Sequence, residues 1–329
     1  MRVLIADKFE SVGVEGLKEL GAEVEVAPDL DGPALRERVE SYRPQILIVR
    51  STKVPAAVVE AGASHGLKAI IRAGSGYDNI DADRASELGV AVCNTPGMNA
   101  VAVAELAMGH IINCDRRIPA QTAELLGGRW NKKEYSKARG LKGSVLGLIG
   151  FGQIAREVAQ RARAFDMKVQ VWTRRPQPEI HEAYGCESVG HDRQALLRLA
   201  ATSDVVSVHV ALTDETRGML DDAFFAAMKD GATFVNTSRG EVADEAALLR
   251  RAEEKGLRLG LDVFSGQPSF KDGEWRTPAA GARAASLSHH VGASTDQAQT
   301  AVAEEVVRIV ANYRDTGELI HVVNAVATA

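Results

Sequence analysis

Short runs of apolar residues alternate with stretches in which apolar residues recur at helical spacing along most of the chain. Runs without polar interruption are typical of parallel strands covered by helices on both faces. One group of predicted strands is Val3–Ala6, Glu23–Val26, Ile46–Val49, Ala69–Ile71 and Val90–Cys93. A second group is Val145–Ile149, Lys168–Trp172, Val205–Val208, Thr233–Asn236 and Gly260–Val263. The pattern predicts an α/β fold with doubly wound parallel sheets.

Helices are predicted between these strands, and 329 residues suffice for about two domains. The helical segments are Ser11–Leu20, Gly32–Ser41, Ala100–Asn113, Ile154–Phe165 and Thr295–Tyr313. A turn cluster at Thr95–Asn99 separates the two groups of strands, and Asn99 is a candidate cap for the helix after it. A polar stretch around residues 127–133 is left without a predicted element, and residues 266–288 are predicted to be irregular.

Composition excludes several classes of function. The net charge is −5, which argues against a DNA-coating surface, because such a surface needs Lys and Arg to neutralise phosphates. No apolar run reaches 18 residues, so we expect no membrane span, and the N-terminus lacks the pattern of a secretory signal. Cys93, Cys114 and Cys186 are widely spaced, which predicts neither a disulfide framework nor a metal site. We expect a soluble cytoplasmic protein.

The sharpest motif is a G-x-G-x-x-A sequence directly after the predicted strand Val145–Ile149. Gly150 permits a tight turn, Gly152 lets the backbone approach a pyrophosphate, and Ala155 allows close packing of helix on strand. The N-terminus of the following helix then faces the anion with free N–H groups. Because a strand precedes the motif and a helix follows it, the motif predicts dinucleotide binding.

The end of the next strand indicates which dinucleotide binds. An NAD site usually carries an acid there for the ribose 2′-hydroxyl. Here the strand is followed by Thr173, Arg174, Arg175 and Pro176. Guanidinium groups pair well with phosphate, so the sequence favours NADP(H), whose 2′-phosphate they would bind. The alternative is that both arginines are solvated and NAD(H) binds without the acid.

Three more segments follow the predicted ends of strands, where open α/β sheets place their ligands. They are Asn236–Gly240, Asp262–Pro268 and Ser288–Thr295. Together with Arg50–Lys53, Arg72–Asn79 and Asn94–Gly97, they resemble the D-isomer-specific 2-hydroxyacid dehydrogenases, and the branch of the D-3-phosphoglycerate dehydrogenases most of all. The likeness extends over nearly the whole chain.

The resemblance implies two domains built on Rossmann-like and flavodoxin-like sheets. Residues 1–98 and 293–329 would form the substrate-binding domain, and residues 99–292 the inserted NAD(P)-binding domain. It also implies a site in the cleft and a homodimer. Because the sequence stops just after Ala325, we expect it to lack the C-terminal regulatory domain that longer members carry.

The resemblance assigns roles to single residues as well. Arg239 corresponds to the arginine that holds the substrate carboxylate and polarises the 2-oxo group, and His290 to the acid/base histidine. Further candidate cofactor contacts are Gln153, Ile154, His209, Thr237, Ser238, Asp262 and Gly292. Candidate substrate contacts are Arg50, Ser51, Arg72, Gly74, Ser75, Gly76, Asn99 and Lys132. The histidines other than His289 and His290 are interpreted as structural or exposed, although His209 also follows a predicted strand.

Gln267 departs from the pattern of the family, most of whose members have Glu there to orient the histidine and raise its pKa. A glutamine supplies no charge, so we expect a lower His290 pKa than in relatives with Glu. Formate dehydrogenases of the same superfamily also carry Gln, so formate oxidation is one alternative. A second alternative is a dinucleotide-sensing scaffold or co-repressor, against which the presence of Arg239 and His290 argues.

A cluster of cations indicates the charge of the substrate. Arg50, Lys53 and Arg72 fall near the predicted substrate site, and Lys132 with Lys133 resembles a basic patch that relatives supply from the partner subunit. On an acidic protein, this favours a small 2-oxo or 2-hydroxy acid with a second anionic group. Candidates are phosphohydroxypyruvate, phosphonopyruvate, hydroxypyruvate and glyoxylate. The alternative is that the cations form salt bridges with nearby acids.

Overall fold

The structure is a computed structural model that describes residues 1–28, 30–175, 177–268, 272–282 and 284–325. Residues 1–99 contain β1 (Arg2–Ile5), α1 (Ser11–Glu19), β2 (Glu23–Val26), α2 (Gly32–Tyr42), β3 (Ile46–Val49), α3 (Ala56–Ser64), β4 (Ala69–Arg72), α4 (Ala82–Glu87) and β5 (Ala91–Asn94). Residues 100–292 begin with α5 (Ala100–Arg116), α6 (Ile118–Leu126), α7 (Lys132–Tyr135), β6 (Val145–Ile149), α8 (Gln153–Ala164), β7 (Lys168–Trp172), α9 (Pro178–Ala183) and β8 (Cys186–Gly190). They continue with α10 (Arg193–Thr202), β9 (Val205–Val208), α11 (Asp222–Ala227), β10 (Thr233–Asn236), α12 (Glu245–Lys255), β11 (Arg258–Leu261) and β12 (Ala285–Leu287), and α13 (Asp296–Thr316) follows.

The chain divides into two compact units. One contains Met1–Asn99 and Ala293–Ala329, and the other contains Ala100–Gly292, so the second unit is inserted into the sequence of the first. The strands of each unit form one parallel sheet, in the order β2-β1-β3-β4-β5 in the first and β12-β11-β10-β9-β6-β7-β8 in the second. The predicted α/β class with two parallel sheets is confirmed.

The core of the first unit follows from the alternation of side chains along its strands. Val3 and Ile5 face α1 and α13, where Leu17, Val306 and Ile309 are fully buried. Leu4, between them, faces the opposite layer, which contains Leu35, Val39, Val58 and Val59 of α2 and α3. Each such side chain contributes about 1.5–3 kcal/mol on burial, which explains why both faces of these short strands are apolar.

The second unit has the same two-layered construction. Leu146 and Leu148 of β6 face α5 and α8, whereas Ile149 faces the layer that contains Leu199, Phe224 and Phe225. The helix α5 packs against β10, β11 and β12, the last three strands at one edge of the sheet. This places α5 directly behind the strands that carry most of the candidate catalytic residues.

Some elements differ from their predictions for physical reasons. The region 266–288 is not irregular throughout, since it contains the short strand β12 and a 3-10 turn at Pro278–Gly281; residues 269–271 and 283 lie outside the described residues. The strand β8 was not predicted, because it is an edge strand whose partly exposed residues lack a continuous apolar run. The strand β11 was predicted two residues late, because the polar Arg258 stands at its start and the buried, apolar Val263 follows its end.

The segment between α5 and β6 contains two helices, α6 and α7, that were not predicted from the sequence. None of the residues of α6 is buried, so its apolar side chains showed no core-facing pattern. Among the described residues, no helix combines the length and the apolar character needed to cross a membrane.

Candidate active site

The carboxyl ends of the strands in the second unit carry the candidate chemistry. The strand order reverses between β6 and β9, since β7 and β8 extend the sheet on one side and β9 to β12 on the other. Such a switch point leaves a crevice at the carboxyl edge, where α/β proteins bind ligands. The glycine turn follows β6, and the segments with Arg239, Gln267 and His290 follow β10, β11 and β12, which are adjacent parallel strands.

The glycine turn has the geometry that a dinucleotide needs. Gly150 adopts a φ of +91°, and a Cβ there would lie 2.5 Å from the carbonyl oxygen of His209. Gly152 precedes the first residue of α8, and a Cβ there would meet no described atom within 4 Å. The turn therefore leaves open space beside the N-terminus of a twelve-residue helix, whose first residues are Gln153 and Ile154.

Two buried polar atoms near the same edge have no hydrogen-bond partner among the described residues. They are Nδ1 of His209 and the hydroxyl of Thr237, which follow β9 and β10. His209 Nε2 lies 2.9 Å from the Ser207 hydroxyl, and burial lowers the pKa of His209 to about 3, so this imidazole is neutral. Orphaned buried groups are costly, and a polar ligand at the strand ends would satisfy them. Together with the glycine turn, they fit a dinucleotide.

The predicted 2′-phosphate contacts follow β7. The backbone N–H of Arg175 donates to the Thr173 hydroxyl over 3.4 Å, and Arg174 Nη1 lies 3.5 Å from the Glu215 carboxylate. Arg174 and Glu215 are both exposed. A hydrogen bond from the Thr213 hydroxyl, with a smaller effect of the Arg174 charge, lowers the pKa of Glu215. A carboxylate thus stands beside the arginine that we expected to bind phosphate. Pro176 lies outside the described residues.

Arg239 extends from a loop that is held by Asn236. The amide of Asn236 donates to the Arg239 carbonyl over 2.8 Å and accepts from both the N–H and the hydroxyl of Ser238. Arg239 Nη1 donates to the Ser238 carbonyl over 2.8 Å. Next to it, a Cβ at Gly240 would lie 2.2 Å from the carbonyl carbon of Phe264, so only glycine allows the loop after β10 to pack on the loop after β11.

Gln267 contacts both His290 and Phe264, and the contact with Phe264 defines which atom donates in the hydrogen bond with His290. Gln267 Oε1 accepts from the backbone N–H of Phe264 over 3.1 Å, which turns its Nε2 toward Nδ1 of His290 at 2.5 Å. An amide nitrogen can only donate, so Nδ1 of His290 is the acceptor and the ring carries its proton on Nε2. Protonation of Nδ1 requires the amide to turn over, which would set its NH₂ against the Phe264 N–H.

Asp262 supports the segment that contains His290. Its carboxylate accepts from the Ser288 hydroxyl and from the backbone N–H groups of Val291 and Gly292, and its carbonyl accepts from the His290 N–H. Asp262 is almost fully buried. The candidate cofactor residues Asp262 and Gly292 are therefore joined by a hydrogen bond.

The first unit carries the candidate substrate residues at its own strand ends. Arg50 follows β3. The backbone N–H groups of Arg50, Ser51 and Thr52 donate to Oδ2 of the buried Asp7. The Ser51 hydroxyl donates to Oδ1 of the same carboxylate. Burial lowers the pKa of Arg50, an effect that the charges of Asp7 and Glu10 oppose. Both the N–H and the hydroxyl of Ser51, a candidate substrate contact, therefore donate to Asp7.

The other candidates of this unit surround the end of β4. Arg72 is its last residue, and Gly74 follows with a φ of +145°, a conformation that favours glycine. The Ser75 hydroxyl donates to Asn99 Oδ1 over 2.8 Å, and Asn94 donates to the Ser75 carbonyl. Gly76 lies in the same loop. Lys132 belongs to the second unit, where it begins the exposed helix α7.

Several residues of these networks were missed in the sequence analysis. Asp7 stands directly after a predicted strand, so the position of a polar residue at a carboxyl end could have indicated it. Phe264 acts through its backbone N–H, and Glu215 and His110 (described below) lie far in sequence from the groups they contact. Only the tertiary structure shows these contacts.

Comparison with known proteins agrees with this geometry. Residues 108–292 match the family model for the D-isomer specific 2-hydroxyacid dehydrogenase, NAD binding domain. The chain is 43% identical over 265 residues to a hydroxypyruvate reductase from Thermotoga maritima, which covers 80% of this chain and 82% of that protein. It is 36% identical over 315 residues, or 94% of its length, to a D-3-phosphoglycerate dehydrogenase from Methanocaldococcus jannaschii, of which it spans only 57%.

A solved structure shows the same fold. A glyoxylate reductase from Paecilomyes thermophila superposes with a TM-score of 0.85, at 29% identity over 98% of each chain. The matched domain contains the glycine turn, Arg239, Gln267 and His290. The chain therefore belongs to the D-isomer specific 2-hydroxyacid dehydrogenases, a family of NAD(P)-dependent oxidoreductases.

Proposed function

We propose that the protein interconverts a small 2-oxo acid, bearing a second anionic group, and the corresponding D-2-hydroxy acid, with NADP(H) as the preferred cofactor. The observation that carries the proposal is the placement of Arg239 and His290 after β10 and β12, the two strands that flank β11, with Gln267 after β11 in contact with His290. Adjacent strands are about 4.8 Å apart, so side chains of this length can reach one ligand from three neighbouring strand ends.

Each of these side chains has a role that suits its chemistry. Arg239 stays protonated at any working pH, and its planar fork can hold a carboxylate while polarising a neighbouring oxo group. His290 can exchange a proton with the substrate oxygen through Nε2. The bound nicotinamide cofactor supplies or accepts the hydride. Reduction thus adds a hydride to the carbon and a proton to the oxygen of the 2-oxo group.

A second anionic group on the substrate is supported by the cations of the first unit, which we propose to be the substrate-binding domain. Arg50 and Arg72 are found at the ends of β3 and β4, which are neighbours in the sheet. Phosphohydroxypyruvate, phosphonopyruvate, hydroxypyruvate and glyoxylate are the compounds to test, because the first two carry one anionic group besides the carboxylate and the last two carry none. We expect the doubly anionic substrates to have the lowest KM.

NADP(H) preference is supported by Thr173, Arg174 and Arg175 after β7, where no acid follows the strand directly. A 2′-phosphate would take the place of the Glu215 carboxylate as partner of Arg174, since the carboxylate lies 3.5 Å from the guanidinium and its negative charge would repel a phosphate bound there. Binding of NAD(H) needs no such exchange.

A homodimer is supported by the exposed apolar residues of α6 and the loop after it. Leu125, Leu126 and Trp130 are 55%, 85% and 80% exposed. A second copy of the chain would remove this surface from water, and a sedimentation experiment that finds only monomers would contradict this proposal. A cytoplasmic location is supported by the free thiols of Cys93, Cys114 and Cys186.

Formate oxidation is the second candidate, and the His290 tautomer favours it. Oxidation of formate to carbon dioxide transfers a hydride without a proton from the histidine, so a ring with Nδ1 as acceptor would suffice. This candidate predicts turnover of formate with NAD(P)⁺.

The experiment that separates these candidates is a panel of 2-oxo acids assayed with NADPH and with NADH, with formate and NAD(P)⁺ in parallel. A decrease of NAD(P)H absorbance measures reduction of the 2-oxo acid, and an increase measures oxidation of formate. We expect a lower KM for NADPH than for NADH and turnover of at least one 2-oxo acid. Turnover of formate alone, or of no compound with either cofactor, would contradict the proposal.

A further inference from the structure

A buried histidine outside the proposed machinery connects to it through a chain of hydrogen bonds. His110 lies on α5, behind the sheet, and is only 2% exposed. It packs directly on β11, since a Cβ at Gly260 would lie 2.8 Å from the Cβ of His110. Both ring nitrogens have partners: Nδ1 lies 2.8 Å from the Ser286 hydroxyl, and Nε2 lies 3.1 Å from the Ser288 hydroxyl.

The direction of these hydrogen bonds follows from the last of them, between Ser288 and Asp262. The Ser288 hydroxyl donates its only hydrogen to Oδ1 of Asp262 over 2.6 Å, so toward His110 it can only accept. His110 therefore carries its proton on Nε2, and its Nδ1 accepts from Ser286, which in turn accepts from the Asn113 amide over 3.1 Å. A neutral ring agrees with the burial of His110, which lowers its pKa against the opposing effect of the Asp262 charge. All donors in the chain thus point toward one carboxylate.

Asp262 holds the backbone at and directly after the strained residue His290. His290 adopts a φ of +55°, in the left-handed region that non-glycine residues rarely occupy. Its N–H donates to the Asp262 carbonyl over 2.8 Å, and the next two N–H groups, of Val291 and Gly292, donate to the Asp262 carboxylate over 2.9 Å each. The orientation of Asp262 therefore determines where the His290 backbone lies.

We propose that Ser288 and His110 are positioning residues, which orient Asp262 and through it the backbone of the acid/base histidine. This inference rests on the proposed function for its kinetic consequence, although the structural link does not depend on the substrate. The hydroxyl of Ser288 occupies one lone pair of Oδ1, and the His110 Nε2–H keeps that hydroxyl directed at the carboxylate. Without them the carboxylate can rotate, and small displacements of reacting groups are costly.

The test compares serine variants on either side of the same imidazole. In Ser288→Ala the donor to Asp262 is lost, and we expect kcat to fall about tenfold with a much smaller change in substrate KM. Ser288→Thr keeps the hydroxyl and should restore most of kcat. Ser286→Ala is the matched control, because it also removes a hydroxyl from His110 but no contact with Asp262, and its kcat should stay within about twofold of wild type. His110→Gln, which retains an N–H donor, should keep more kcat than His110→Leu.

Hydrogen exchange gives a readout that needs neither cofactor nor substrate. In the cofactor-free protein, we expect the amides of Val291 and Gly292 to exchange faster in Ser288→Ala than in wild type and in Ser286→Ala. Equal exchange rates and equal kcat in the two alanine variants would overturn the positioning role. If the wild-type protein turns over no 2-oxo acid, the proposed function fails, and the exchange rates alone decide the positioning role.

Discussion

The amide of Gln267 can present a donor or an acceptor to His290, and Phe264 selects the donor. A carboxylate at this position would accept from Nδ1–H and stabilise the protonated ring by its charge. The neutral amide does neither in the observed orientation. The pH dependence of the proposed reaction therefore depends on the residue at 267.

Gln267→Glu tests this point. We expect the descending limb of the pH–rate profile for 2-oxo acid reduction to move upward by about one pH unit, because a negative charge at hydrogen-bond distance raises the pKa of His290. Reduction requires the protonated ring, so a higher pKa extends activity to higher pH. Gln121→Glu, a substitution of the same charge on α6, is the control, and it should leave the profile unchanged. Superimposable profiles of Gln267→Glu and wild type would show that Gln267 does not influence the proton transfer.

Glu215 is expected to weaken NADPH binding through its contact with Arg174. In Glu215→Gln the negative charge is removed, so KM for NADPH should fall about two- to fivefold while KM for NADH stays constant. Asp214→Asn removes a charge from the exposed neighbouring residue and should have a smaller effect. A fall in both cofactor constants by the same factor would mean that Glu215 does not act on the 2′-phosphate.

At the scale of single residues, the sequence indicated which side chains follow strands but not their partners. The positions of Arg239, Gln267 and His290 followed from motifs and the resemblance they carry. Their supports could not be predicted, because Phe264 contributes a backbone N–H and Asp7 binds three N–H groups of a loop 43–45 residues away. Such contacts depend on which strands are neighbours.

The turn between β6 and α8 contains two glycines with different functions. Gly150 is required by the fold, since it has a positive φ and a Cβ would collide with the His209 carbonyl. Gly152 has open space around its missing Cβ, so we propose that it leaves room for the cofactor.

Gly150→Ala and Gly152→Ala separate these functions. We expect Gly150→Ala to lower the free energy of unfolding by about 1–3 kcal/mol, because it strains the backbone at a crowded site. Gly152→Ala should unfold at the wild-type temperature but bind the cofactor roughly tenfold more weakly, since the backbone can no longer approach the pyrophosphate. Thermal unfolding and cofactor titration measure both effects. Wild-type cofactor affinity in Gly152→Ala would contradict the assignment of the binding turn.

At the scale of elements, hydrophobic runs predicted the central strands well and the outer ones poorly. Strands such as β3 and β9 are buried on both faces; β3 is a continuous apolar run, and Ser207 alone interrupts the apolar run of β9. The edge strands β8 and β12 are partly exposed, and β12 has three residues, so neither leaves a pattern of this kind. The helix α6 buries none of its residues in this chain.

At the scale of the whole molecule, a cluster near the C-terminal end of the chain couples stability to pH. Glu305 of α13 has a nearly buried side chain that accepts from Arg308 and lies 2.7 Å from His321. The hydrogen bond from Arg308 lowers the pKa of Glu305, against the effect of its burial. A folded-state pKa below the unfolded value, about 4.3, adds stability that is present above that pH and lost as the pH falls through the folded value.

Glu305→Gln should therefore be less stable than wild type at neutral pH, by about 1–2 kcal/mol, and the difference should shrink as the pH falls below about 4. Denaturant unfolding at several pH values measures this. The exposed neighbour Glu304 provides the control, and Glu304→Gln should follow the wild-type curve. A difference between Glu305→Gln and wild type that is constant with pH would rule out the ionic contribution.

The most direct test of the account is steady-state reduction of the best 2-oxo acid by wild type, Arg239→Ala and His290→Ala, with cofactor affinity measured separately. We expect Arg239→Ala to raise substrate KM and lower kcat, and His290→Ala to lower kcat by about 10²–10⁴-fold, while both variants bind the cofactor as wild type does. Wild-type turnover in either variant would contradict the assignment of these residues as the catalytic pair.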